Sequence, residues 1–349
     1  NLFGYVRYVL PDTDAASKNI TRGMLFNQVN GVQLTENNYR NLLFSNSNFS
    51  IGLANYNNGN PIENGNTIAL SKTTNQENPV FITKTFTEGT KKIGYLMYNS
   101  FTSTFDKQLN AAFAQLKSEN ITDLIVDVRY NGGGSVRTAT YLASMITGQF
   151  HNQIFSSQQW NSKVINAISN NTLAIDLTYN FPNKINNGSF QESINSLQLS
   201  NVYFITTNSS ASASELVING LMPYINVKTI GTKTHGKYVG SITLYDSENF
   251  TKNNVNTNHT WAMQPIVLEI VNKLGENDKD GFDPTIPLAE DYENMGALGE
   301  RTDPLLNRTI QFISTGSKIN VQQKKYQFTE ISNSKLALPT SNNMYVEFN

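Results

Sequence analysis

Leu124-Ile125-Val126-Asp127-Val128 is a largely apolar, strand-like run that leads within a few residues into Gly132-Gly133-Gly134. Val136, Ala139, Leu142 and Ile146 follow at helical spacing. Just upstream, Lys92-Ile93-Gly94-Tyr95-Leu96-Met97-Tyr98 reads as another strand, and Leu109, Phe113 and Leu116 fall at i, i+4 and i+7 on one helical face. Strand, helix, strand, glycine turn and helix in this order define an α/β pattern with at least partly parallel pairing. The three glycines supply the backbone freedom that a sharp strand-to-helix turn needs.

A chain of 349 residues exceeds what one hydrophobic core usually serves, so two domains are expected. Residues 4 to 86 read as short strands, a helix and Gly/Asn turns, with Gly4-Tyr5-Val6-Arg7-Tyr8-Val9-Leu10 strand-like and Asn30-Gly31 a tight-turn signal. Asn55 to Asn66 reads as a loop, Pro79 to Phe86 as a further strand and Glu88-Gly89 as a boundary. The expected division is therefore 1–87, then a larger domain over 88–316, then a polar tail over 317–349 with a strand-like end. Within the larger domain, 148–200 is polar and carries Trp160, as an insertion or a long connection would. Asn201 to Thr206 returns to strand, and 304–313 reads as a helix.

The apolar fraction of 38% and aromatic fraction of 11% suffice for buried cores, which argues against global disorder. A net charge of −1 without a long basic run argues against nucleic acid or an anionic membrane as the main partner. No apolar stretch has the length of a membrane span. Cysteine is absent, which excludes disulfide scaffolds, cysteine nucleophiles and thiolate metal sites. The sequence starts at Asn1, so any signal or lipid anchor is expected upstream of it, already removed, or never present.

Two short segments carry chemistry. In Asn208-Ser209-Ser210-Ala211-Ser212-Ala213-Ser214-Glu215-Leu216, the pattern Ser212-x-x-Glu215 ahead of an apolar run is a capping box at a helix start. The same placement suits a nucleophile, because a helix N-terminus turns free amides and its positive dipole end toward an anion forming beside it. Ser209, Ser210, Ser212 and Ser214 all remain candidates on this ground. The second segment, Gly231-Thr232-Lys233-Thr234-His235-Gly236-Lys237, matches a phosphate-binding loop except that Tyr238 stands where Ser or Thr is required. Tyr238 to Tyr245 also reads as a strand, where such a loop opens a helix. Lys237 can instead serve as a general base if burial lowers its pKa enough to leave it neutral. His235, His151 and His259 are the only histidines, and no Gly-x-Ser-x-Gly elbow occurs. Asp127 and Arg129 read as a structural ion pair beside the glycine turn. Glu276 to Gly281 reads as an acidic turn, too short for an EF-hand.

These segments, in the order Asp127-Val128-Arg129-Tyr130-Asn131-Gly132-Gly133-Gly134, Ser212 and Lys237, resemble the signature of the tail-specific, or C-terminal processing, serine peptidases. The resemblance runs from Gly4 to Asp303. It implies a crotonase-like ββα core behind a small N-terminal PDZ-like domain rich in β-structure. Among the serines it selects Ser212, 25 residues before Lys237, as the nucleophile with the lysine as base. It implies Gly134 and Ala213 as oxyanion donors, with Glu215 helping to position Lys237. No metal or organic cofactor is implied, and the partner is a polypeptide substrate, recognised in one version through its C-terminus. Details such as Trp261 to Pro265 and Gly281-Phe282-Asp283-Pro284 look like exported members from Bacteroidetes, which implies a periplasmic or cell-envelope location. The PDZ pattern departs at Asn19-Ile20 and at Met24. The rival readings are a catalytically silent binding protein on the same fold, and a peptide-binding module whose function lies in the N-terminal domain.

Overall fold

A computed structural model describes residues 2–57, 60–170, 174–188, 190–277, 279–318, 329–338 and 341–347 of the chain. It divides into two compact units, one drawn from Asn1–Asn78, Leu288–Arg308 and Ile319–Leu338, the other from Pro79–Pro287, Thr309–Lys318 and Pro339–Asn349.

The first unit is built on a five-stranded antiparallel sheet in which Gly4–Tyr5, Leu25–Val29, Asn48–Asn55 and Ile62–Ser71 lie side by side and Val32–Gln33 pairs with Leu25–Val29. The Asn30-Gly31 signal is the tight turn of that last hairpin, with φ of 52° and 74° at its two residues. Its core gathers Ile20, Val29, Leu34, Tyr39 and Ile51. The Gly/Asn-rich stretch is less of a loop than its composition suggests, since the strand resumes at Ile62. Gly4 to Leu10 is regular strand only at Gly4–Tyr5.

The second unit carries a six-stranded sheet in the order Ile286–Pro287, Asn226–Gly231, Asn201–Thr206, Asp123–Asp127, Lys91–Tyr98, Val80–Glu88. Every pair is parallel except the last. The hairpin of Val80–Glu88 and Lys91–Tyr98 followed by the helix Asp106–Ser118 makes a ββα unit, and that helix leads on to the parallel strand Asp123–Asp127. The faces read from the sequence are the buried ones: Leu109, Phe113 and Leu116, and likewise Val136, Ala139, Leu142 and Ile146, are all 0% exposed. Each large side chain of this kind contributes roughly 1.5–3 kcal/mol by leaving water.

Three boundaries differ from the sequence reading. Glu88-Gly89 is no domain boundary: Val80–Glu88 and Lys91–Tyr98 form a hairpin, and Gly89, at φ 58°, turns it. A turn glycine signals a chain reversal, which a hairpin and a linker both require. The 148–200 stretch supplies the strand Ile154–Trp160, which pairs with Ile266–Asn272 and is thus built into a second six-stranded sheet. The tail also takes part in that sheet through Met344–Tyr345; residues 319–328, 339–340 and 348–349 of the tail lie outside the described residues, as does Asp278 of the acidic turn.

Candidate active site

The site forms where three loops leave the parallel sheet on one side. The first is the glycine turn after Asp123–Asp127. Asp127 and Arg129 are both 0% exposed and joined at 2.6 Å, and Asp127 also accepts from Tyr95 Oη at 2.8 Å. Removing one partner of such a pair strands a buried charge at a cost of roughly 3–5 kcal/mol. Asn131, which the sequence reading gave no role, holds the turn: its Nδ2 donates to Tyr98 O at 2.8 Å and its Oδ1 accepts from Gly133 N at 2.9 Å. Its carbonyl then accepts from Ala211 N at 3.1 Å and from Ser214 Oγ at 3.0 Å, tying the glycine turn to the serine loop.

That second loop ends at the helix Ala213–Leu221, with Ser212 at its N-cap. Ser212 has φ 66° and ψ −115°, a conformation that costs a non-glycine residue about 1–3 kcal/mol and persists only where its surroundings enforce it. The expected capping box is in place between Ser212 and Glu215, with its two arms unequal. Glu215 Oε2 accepts from Ser212 N at 2.8 Å, but the Glu215 amide faces Ser212 Oγ without hydrogen-bonding geometry, and this buried hydroxyl has no hydrogen-bond partner. Its neighbours are committed elsewhere: Ser210 Oγ donates to Val128 O at 2.8 Å, and Ser214 Oγ donates to Asn131 O. A buried, unpaired hydroxyl costs about 1–3 kcal/mol, so its retention calls for a use. The structure therefore separates Ser212 from Ser210 and Ser214.

The third loop runs from Thr234 to Lys237 and is gripped by Glu215. Glu215 Oε1 accepts from Thr234 Oγ1 at 2.6 Å and from Gly236 N at 2.7 Å, while Oε2 accepts from Lys237 N at 2.9 Å. Glu215 thus fixes the backbone of Ser212 and of Lys237 with one carboxylate. Val239–Ser241 continues from Lys237 as a strand, which disposes of the phosphate-loop reading. Lys237 is half-buried, and its removal from water pulls its pKa below the ordinary lysine value. Its Nζ donates to the carbonyl of Asn342. Ser212, Glu215, Leu216, Lys237, Tyr238, Ile270, Phe282 and Met344 are among the residues enclosing one small cavity of about 10 Å³. No histidine lines it: His235 is exposed, His151 faces Phe181 O at 3.2 Å, and His259 pairs with Asp246 at 3.0 Å. Among the described residues, no three His, Asp or Glu side chains stand together as a metal site.

The glycine turn meets the serine directly. A Cβ at Gly133 would lie 2.6 Å from Ser212 Cβ, 2.8 Å from its Oγ and 2.9 Å from Ala213 N, with φ already at +108°. Gly134, the residue expected to supply an oxyanion amide, is one step further on, where a Cβ would lie 2.2 Å from Phe101 O. A valine at 134 would consequently disrupt the turn itself, and Gly133→Ala is the sharper probe of the site. It is expected to lower kcat about 100-fold by displacing Ser212, since an ångström-scale shift of a reacting group costs that much. Turnover unchanged in steady-state kinetics of Gly133→Ala would remove the turn from the reaction centre.

Residues 92–262, which carry Ser212, Glu215 and Lys237, match the model of peptidase family S41, a family of serine peptidases. In particular, the chain is similar to a protein from Bacteroides fragilis NCTC 9343 assigned to the S41 proteases, with 25% identity over 90% of this chain and 79% of that one and a TM-score of 0.73. It shares its fold with a photosystem II D1 C-terminal processing protease, at 18% identity, 90% and 73% coverage and a TM-score of 0.50. No curated protein matches it. No helix among the described residues is long and apolar enough to cross a membrane.

Proposed function

We propose that this chain is an endopeptidase working through a Ser212/Lys237 dyad. One observation carries the reading: the buried Ser212 hydroxyl, unpartnered at a strained helix N-cap, shares a cavity with a lysine whose charge is disfavoured by burial. Neutral Lys237 takes the proton of Ser212 Oγ as the oxygen adds to a peptide carbonyl, and the amides of Gly134 and Ala213 bind the oxyanion. Lys237 then protonates the departing amine, and a water activated by the same Nζ hydrolyses the acyl-enzyme. Glu215 acts as a positioning residue, holding the amides of Ser212, Gly236 and Lys237 and the Thr234 hydroxyl. Lys237 Nζ is bonded to the Asn342 carbonyl. That contact is also the observation that favours a catalytically silent binding protein.

Incubating the chain with reduced, unfolded polypeptides and sequencing the products by mass spectrometry separates the two readings. Cleavage with a serine-reactive phosphonate attached at Ser212 supports the peptidase; intact substrate and an unlabelled serine support the silent protein.

We further propose that the N-terminal unit is PDZ-like and takes a substrate C-terminus on a sheet edge, where backbone amides would hold the carboxylate. Polypeptides with a free apolar C-terminus are then expected to be cut several-fold faster than the same chains amidated at that end, a difference in kcat/KM that is absent if this unit is purely structural. A location in the cell envelope accords with the resemblance to exported members, and fractionation of the native organism tests it.

A further inference from the structure

Residues 341–347 complete the second sheet of the larger unit. Met344–Tyr345 lies between Val239–Ser241, which begins two residues after Lys237, and Gly134–Ser135, the end of the glycine turn, parallel to both. Most of what holds it is backbone. Val346 N donates to Ser241 O at 3.0 Å, Ser241 Oγ donates to Met344 O at 3.1 Å, and the Asn342 carbonyl receives Lys237 Nζ. Beyond the strand, Glu347 accepts from Ser135 Oγ at 2.9 Å and from Ser103 Oγ at 3.0 Å. Two of the segment's side chains are buried, Met344 at 1% exposed and Val346 at 5%, and Met344 lines the cavity together with Ser212, Lys237, Leu216, Ile270 and Phe282.

This is how an extended peptide is recognised by strand addition, with main-chain bonds for affinity and a pocket for one side chain. The two flanking strands carry the glycine turn and the lysine, so a substrate presented to Ser212 would use the same place. Both cannot be there together, because Met344–Tyr345 already occupies the pairing positions of both flanking strands.

We infer that residues 341–347 are a substrate-like strand seated in the chain's own peptide groove, that an incoming extended polypeptide must displace it, and that the pocket filled by Met344 selects an unbranched apolar side chain in the substrate. The inference rests on Ser212 being the nucleophile. Being tethered, the strand competes at an effective concentration in the millimolar range, which keeps basal turnover low. A substrate wins only by pairing along more of the groove or by arriving in high local concentration.

The test uses the full chain. Met344→Lys places an ammonium in the apolar part of the cavity beside Lys237 and should release the strand, whereas Met344→Leu should keep it. A fluorescein-labelled synthetic peptide of residues 340–349 is expected to bind Met344→Lys at least about tenfold more tightly than the unaltered chain. The same peptide with Lys in place of Met should not bind. Cleavage of unfolded polypeptide by Met344→Lys should rise about tenfold and fall back when the unlabelled peptide is added. A folded Met344→Lys chain that neither binds the peptide nor gains activity overturns the inference, because the strand is then an integral part of the site. If that variant does not fold, the unaltered chain decides. Hydrogen exchange at Met344 to Val346 should accelerate on adding excess unfolded polypeptide, and cleavage without that acceleration overturns the inference. Acceleration without cleavage upholds the groove and counts against the peptidase reading.

Discussion

Ser212→Ala is expected to lose at least about a thousandfold in kcat on an unfolded polypeptide, because no other group takes over from a missing serine nucleophile. Its stability should be unchanged or slightly higher. The hydroxyl makes no hydrogen bond, so its removal costs no bond and relieves a buried polar group of a penalty of about 1–3 kcal/mol. The melting temperature measured beside kcat distinguishes this from general damage. Ser210→Ala and Ser214→Ala should show the reverse pattern: each deletes a bond that pins the site loops, to Val128 O or to Asn131 O, so stability falls by about 1 kcal/mol while activity largely survives. Retained activity in Ser212→Ala, with loss in either neighbour, would refute the assignment.

Lys237→Ala should be comparably inactive, and the pH dependence should identify the reason. Only the neutral amine accepts a proton from Ser212, so kcat/KM of the unaltered chain rises with pH and levels off above the pKa of Lys237. Burial moves that plateau below the pH at which an exposed lysine would reach it. Lys237→Arg, charged at every accessible pH, should be inactive throughout. The same shift sets a slope in stability. The unfolded chain binds the proton of Lys237 more readily than the folded one, so stability increases with pH between the lowered pKa and the ordinary one and is lost as pH falls through the lowered value. Lys237→Met should flatten that slope in urea titrations across the alkaline range. His235→Ala should change the rate only modestly, since the ring is exposed and only the His235 amide is engaged, with Ser210 O at 3.0 Å. A loss equal to that of Lys237→Ala would indicate a histidine base.

Much of this arrangement is legible in the sequence because it depends on local order. The run 124–128, the glycines after it and the helical spacing of Val136, Ala139, Leu142 and Ile146 specify a strand, a turn and a helix, since the apolar faces must be buried whatever the partner. Ser-x-x-Glu specifies a helix start. Glu88-Gly89 misled because a glycine reports the path of the backbone over a few residues and says nothing of which strands it joins. The role of Asn131 was hidden because its four contacts, to Tyr98, Gly133, Ala211 and Ser214, are made across loops that come together only on folding.

What the sequence by itself determined is the main strands and helices around the glycine turn, the α/β class and the two segments that bear the serine and the lysine. Only the tertiary structure decided that Ser210 and Ser214 are bonded while the buried Ser212 hydroxyl is not, because that bonding depends on carbonyls from Val128 and Asn131, more than 80 residues away in the chain. It also decided that Glu215 grips the lysine loop by its backbone. And it decided that a strand read from composition as the end of a polar tail lines the same cavity as Ser212 and Lys237. Short polar segments have no periodicity that reveals their neighbours. Met344 and Val346 are buried because a groove exists between two other strands, and that groove is a product of the fold.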